Sequence, residues 1–170
     1  MNKTEVLNYL DNLGISYTYK EHPPVYTIED MAKLGLDQQG EIAKNLFLRD
    51  AKGKRHFLIV LQHDKRVNLK ALGVSLKTTA LSFASAARLS KYLSLTKGSV
   101  TPLGILNDLN HEVEVVIDQD LQGLRKIGVH PNDNTATVWL SPADLEAIIN
   151  REGNKIQYIA LNDPDADSEQ

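Results

Sequence analysis

The sequence predicts a mixed α/β (α+β) domain, and three observations carry that prediction. Capped helix signals and strand signals interleave along the chain. A β-hairpin is written in two apolar runs, Glu41 to Asp50 and Arg55 to Gln62, around the short loop Ala51-Lys52-Gly53-Lys54. A length of 170 residues, 42% hydrophobic and 24% charged, suits one globular domain. A chain this long buries roughly 70% of the surface its unfolded form exposes, so it needs no staple. It contains no cysteine. Disulfides, thiolate nucleophiles, iron–sulfur clusters and Cys-type zinc sites are thereby excluded, which suits a reducing cytoplasm. The start, Met-Asn-Lys-Thr-Glu-Val, lacks a signal peptide's apolar stretch, and no run approaches the ~18 apolar residues of a membrane span. The expectation is a soluble, cytoplasmic protein with no membrane partner.

Val6, Leu7, Leu10 and Leu13 recur at helical spacing before Gly14, which predicts a helix over 4–13. Ile15 to Lys20 alternates as a strand until His22-Pro23-Pro24 breaks it. Thr27 with Asp30 three residues on resembles a capping box and opens a short helix to Leu34. After the hairpin, Asn68 to Leu72 and Ala84 to Leu93 read as helices, with a strand-like Thr79 to Phe83 between them and a loop over 98–104. Glu112 to Ile117, Ile127 to Val129 and Asn134 to Leu140 read as strands, the last two joined by the turn formers His130-Pro131-Asn132-Asp133. Ser141 as N-cap and Pro142 as first residue start a final helix with Leu145, Ile148 and Ile149 as its buried stripe. A last strand, Lys155 to Ile159, ends a single domain over 1–161. Residues 162–170 are too acidic and apolar-poor to pack and are expected to be a flexible tail.

The net charge of −3 hides an uneven distribution. Residues 65–107 carry Lys65, Arg66, Lys70, Lys77, Arg88, Lys91 and Lys97 and no acidic residue, whereas residues 108–170 carry four basic and thirteen acidic ones. The middle stretch is either a phosphate-facing surface or a solvated basic face balanced by the acidic remainder.

GxxxxGK[ST], GxGxxG, GxSxG and HExxH are all absent, so phosphate cradles, Rossmann cofactors, serine-hydrolase elbows and zincin sites have no support. The five histidines, at 22, 56, 63, 111 and 130, show no metal-ligand spacing, and neither a metal nor a cofactor is expected. Three features remain. On a strand from Ile42 to Leu48, Lys44 shares a face with Ile42, Leu46 and Leu48. Its ammonium either meets an anion or developing oxyanion there, or snorkels to solvent from the strand mouth. The segment Gly98-Ser99-Val100-Thr101-Pro102-Leu103-Gly104 either aims peptide N–H groups at a ligand oxygen or is a structural turn. His130, in His130-Pro131-Asn132-Asp133-Asn134, is either a turn residue or a donor and proton carrier.

Taken together, Lys44-Asn45-Leu46-Phe47-Leu48-Arg49-Asp50, Asp64-Lys65-Arg66-Val67-Asn68-Leu69-Lys70, Leu81-Ser82-Phe83-Ala84, the 98–104 segment and His130-Pro131-Asn132-Asp133-Asn134-Thr135-Ala136-Thr137 resemble the YbaK/prolyl-tRNA synthetase-associated editing domain family over about residues 3–160. The resemblance implies a mixed, largely antiparallel, barrel-like sheet with surrounding helices. It implies a catalytic role for Lys44 and Asn45, and a substrate pocket shaped by Gly98, Ser99, Val100, Thr101, Pro102 and His130. The implied activity is deacylation of mischarged aminoacyl-tRNA, best matched by the free-standing branch that removes alanine from tRNA(Pro). Lys65, Arg66, Lys70, Lys77, Arg88, Lys91 and Lys97 would then contact the tRNA backbone. The implied partners are aminoacyl-tRNA, above all tRNA(Pro), and prolyl-tRNA synthetase; a homodimer is compatible. Cysteinyl, seryl or threonyl esters, and a non-catalytic tRNA- or synthetase-binding module, are the competing readings.

Overall fold

The computed structural model describes residues 1–161; the expected tail, 162–170, lies outside the described residues. In chain order the elements are α1 (Lys3–Asn12), β1 (Thr18–Glu21), α2 (Ile28–Lys33), β2 (Glu41–Arg49), β3 (His56–Gln62), α3 (Leu69–Ser75), β4 (Ser82–Phe83), α4 (Ala86–Leu93), β5 (Val113–Asp118), β6 (Ile127–Val129), β7 (Ala136–Leu140), α5 (Pro142–Glu152) and β8 (Ile156–Ile159). No helix among the described residues is long and apolar enough to cross a membrane.

Local chemistry explains most boundaries. Asn2 caps α1 in a reciprocal capping box with Glu5, and Gly14 follows with φ +69°, the left-handed conformation that ends a helix most cheaply in glycine. Ser141 caps α5 by accepting from the Asp144 N–H at 3.0 Å, with Pro142 at the first helical position. In the β2–β3 hairpin, the Asp50 carboxylate accepts from the Lys54 and Arg55 N–H groups at 2.8 and 3.1 Å. Gly53 holds φ +66° there, and a side chain would also collide with the Arg88 guanidinium.

Several elements differ from expectation. The strand expected over 15–20 is the four-residue β1, exposed throughout at the sheet edge, where among the described residues it pairs only with β7. The strand expected over 79–83 shrinks to β4, which meets β2 only at Leu48 and Arg49. The helix expected to end at Leu72 continues as α3 to Ser75. The loop expected over 98–104 contains 3₁₀ turns at Lys97–Ser99 and Pro102–Asn107.

The strands form one mixed sheet in the order β1-β7-β6-β2-β3-β5-β8, with β4 also on β2. Among the described residues, four pairings are antiparallel and three, β2–β6, β3–β5 and β5–β8, are parallel. Burial on both faces explains the unbroken apolar run of β3. Leu58 and Val60 join one core with Val113, Val115 and Ile117, while Phe57, Ile59 and Leu61 join a second with α3 and Val116. The first core also takes Ile127, Val129, Val138 and Leu140 from β6 and β7 and the inner faces of α1, α4 and α5, so the sheet curls around it.

His56, only 1% exposed, packs between the rings of Phe47 and Tyr92, and its Nε2 accepts from the Arg88 guanidinium at 3.0 Å. Burial, with Arg88 beside it, pushes its pKa down from 6.5 to about 4. The unfolded chain therefore binds this proton first, and stability falls as pH drops from 6.5 to about 4. The full loss is up to about 3 kcal/mol. Urea unfolding across this range should show that decline, and His56→Gln should flatten it; an equally steep decline in the variant would exonerate His56.

Candidate active site

Strand β2 touches its parallel neighbour β6 only at Glu41 and Ile42. Beyond Ile42 the two part, and a cavity of about 570 Å³ opens between them, within the range that holds small-molecule ligands. Ile42, Ala43, Lys44 and Asn45 form one wall and His130, just past β6, stands opposite. Lys97, Gly98 and Val100 close one side, Val25, Tyr26, Thr27 and Met31 another, and His63 lies at the end of β3. The mixture is a mostly apolar hollow with a few polar groups converging on it.

Strand alternation sends Lys44 and Asn45 to opposite faces of β2. Lys44, half-buried, donates from Nζ to the Lys65 carbonyl at 3.0 Å. Burial holds its pKa below the ordinary lysine value, and the nearby Arg66 charge adds to this. Asn45 has a buried Oδ1 without a partner, and its Nδ2 reaches only the Ala43 carbonyl at 3.5 Å. An orphaned buried acceptor is costly to the fold.

His130 is fixed in one tautomer. Its Nδ1 lies 3.0 Å from the Ala136 carbonyl, which only accepts, so Nδ1 carries the proton and the neutral ring leaves Nε2 as an acceptor. Burial, with His22 adding, holds its pKa below the usual histidine value. His22 sits 6.4 Å away between rings, with Nδ1 donating to the Pro23 carbonyl at 2.8 Å and Nε2 2.9 Å from the Thr137 hydroxyl.

The structure thus gathers Lys44, Asn45, Lys97, Gly98, Val100 and His130 about one cavity. It does not bring Ser99, Thr101 or Pro102 to the cavity wall; all three are buried behind it. Thr101 instead donates from Oγ1 to the His130 carbonyl at 2.6 Å, clamping the 97–104 segment to the opposite wall. Gly98 and Gly104 do not have the unusual backbone angles expected of them; their value is size. A Cβ on Gly98 would stand 3.0 Å from Asn134 Nδ2 and 3.1 Å from Tyr26, and one on Gly104 would stand 2.6 Å from Leu95.

The basic stretch is also divided. Lys65 forms ion pairs with Asp118 at 2.7 Å and Asp120 at 2.5 Å, and Arg88 donates to the Gly53 carbonyl and His56. Both are engaged inside the molecule because partners far along the chain fold back onto them, a pairing that a count of charge along the sequence misses. Lys70 and Lys77 lie with α3 on one side of the sheet and Lys91 with α4 on the other, while Lys97 alone of the seven lines the cavity. Tyr26, Met31 and His63 were missed as cavity residues. The Pro-Pro step before Tyr26 reads as a strand breaker only. For His63 the hairpin register was a usable signal, since pairing Ala43 with Gln62 places it beside Glu41.

Residues 22–148 match the family model for the aminoacyl-tRNA editing domain. The prolyl-tRNA editing protein ProX of Acetoanaerobium sticklandii is 53% identical over 159 residues, covering 94% of this chain and 97% of its own. Prolyl-tRNA synthetase associated domain-containing protein 1 of Danio rerio is 37% identical over 145 residues, covering 84% and 78%. A solved structure proposed to be a trans-editing enzyme for prolyl tRNA synthetase superposes with a TM-score of 0.73, covering 96% of this chain and 98% of that one. At 19% identity it shows the likeness of fold alone.

The Thr101 clamp makes a stability prediction. Thr101→Val leaves the buried His130 carbonyl without its donor and should lower unfolding free energy by about 1–3 kcal/mol. Urea titration reads this directly, and an unchanged midpoint would mean that the clamp carries no load.

Proposed function

The chain belongs to the aminoacyl-tRNA editing domain family, and from that premise we propose that it is a trans-acting deacylase of prolyl-tRNA editing that hydrolyses mischarged Ala-tRNA(Pro). Residues 1–161 act as one editing domain. The observation that carries the reading is the cavity itself, where a half-buried ammonium and a tautomer-fixed imidazole belong to the walls of one ligand-sized space.

An aminoacyl ester is already activated, so its hydrolysis needs a placed water and a stabilised oxyanion, with no nucleophilic side chain. In this reading the ester carbonyl lies toward Lys44, whose ammonium meets the charge that develops as water adds. Asn45, whose Oδ1 is buried, backs the wall beside Lys44. His130 Nε2 accepts a second hydroxyl of the terminal ribose, and the substrate's own hydroxyl helps activate the water. Val25, Met31 and Ile42 give the apolar side on which amino-acid size is judged. A synthetase pocket shaped for proline cannot strongly reject alanine, whereas a second, tighter pocket admits alanine and excludes proline. The exposed Lys97 on the cavity wall is placed for phosphate, and the prolyl-tRNA synthetase is the natural source of the substrate.

Deacylation of Ala-tRNA(Pro) and Pro-tRNA(Pro) by the wild type and Lys44→Ala tests this. Alanine should be released and proline retained, with Lys44→Ala slower by ~10²–10³-fold. Equal release of both amino acids would end the size sieve, and faster release of a cysteinyl, seryl or threonyl ester would move the substrate. Gly98→Ala, which crowds the cavity wall, should raise KM while leaving kcat nearly unchanged.

A further inference from the structure

The turn after β3 brings together groups that the proposed mechanism leaves unused. It runs from Gln62 to Lys65 and closes through the Lys65 N–H and the Gln62 carbonyl at 3.1 Å. Its last residue supplies the carbonyl that holds Lys44. Its second residue, His63, lines the same cavity. Glu41, at the start of β2, reaches the His63 ring with Oε1 2.6 Å from Nδ1, and the His63 backbone N–H donates to the same oxygen at 3.4 Å. The pair is partly shielded, with side chains 34% and 21% exposed. A carboxylate accepts and does not donate, so Nδ1 carries its proton and the neutral ring keeps a basic Nε2.

We propose that His63, oriented by Glu41, is the proton carrier for ester hydrolysis in this cavity; the inference rests on the deacylase reading above. As the water oxygen bonds to the ester carbonyl carbon, Nε2 takes one water proton and the carbonyl electron pair moves to the oxygen facing Lys44. When the tetrahedral intermediate collapses, the bond from carbon to the ribose oxygen breaks and the imidazolium returns its proton to that oxygen. A free amino acid and an uncharged tRNA end leave, and the ring is neutral again. Glu41 is a positioning residue that fixes the tautomer and steadies the transient imidazolium. The charged and titratable groups around His63 are Glu41 from β2, Asp64 and Lys65 of its own turn, and Lys44, Lys97 and His130 of the cavity. A carboxylate oxygen from each of Glu41 and Asp64 and a ring nitrogen of His63 all lie within 4.8 Å of one another, so the turn gathers its polar groups at one point.

The test is deacylation of Ala-tRNA(Pro) across the neutral pH range by the wild type, His63→Gln, Glu41→Gln and His63→Ala with and without added imidazole. His63→Gln should lose ~10²-fold in kcat with KM unchanged, and the acid limb of the wild-type profile should flatten. Glu41→Gln should lose less, and imidazole should restore part of the His63→Ala rate. An active wild type with an unimpaired His63→Gln variant, or a His63→Ala loss that imidazole does not relieve, overturns the proton-carrier role alone. A wild type inactive on every aminoacyl ester overturns the deacylase reading and this inference with it.

Discussion

A carboxylate shut away from water has to be met by a cation, and Asp118 is such a carboxylate, fully buried at the end of β5. Lys65 answers it at 2.7 Å, and the Asp120 N–H adds a bond at 3.3 Å. With its side chain drawn toward β5, Lys65 has its backbone set as well, and its carbonyl is what Lys44 finds 3.0 Å away. A carbonyl holds an ammonium in place without cancelling its charge. The orientation of the cavity's central cation thus descends from an ion pair beneath it, and the parallel pairing of β3 with β5 keeps the two ends of that pair in register.

Local signals made much of the fold legible. The hairpin, the C-cap of α1, the Thr27 and Ser141 caps and the α5 stripe depend on neighbours a few residues away, and they lie where the sequence places them. What was not legible depends on distant partners. The length of β1 is set by β7 and that of β4 by two residues of β2. Alternation put Lys44 on an apolar face but could not reveal that β2 and β6 separate there, which is what turns a buried lysine into a cavity-lining one.

The 98–104 segment and the basic stretch show the same limit from two sides. A glycine-and-proline pattern suggests backbone freedom, yet Gly98 and Gly104 serve because neighbours crowd them, and crowding is a tertiary fact. An acid-free stretch suggests one electropositive face, yet α3 and α4 pack on opposite sides of the sheet and Lys65 and Arg88 turn inward. Lys44 and His130, by contrast, were legible from residue type and local pattern, and both line the cavity.

The cavity walls come from chain segments that are far apart: residues 42–45, 97–100 and 130, clamped by Thr101. Pairings of high sequence separation form slowly and late. During synthesis, Lys44 therefore leaves the ribosome long before the wall that completes its surroundings. A nascent or truncated chain lacking the β6–β7 region has the lysine but no enclosed chamber. The surroundings of Lys44 are therefore complete only once the chain has been made through His130, so the last third of the sequence decides what the lysine can meet.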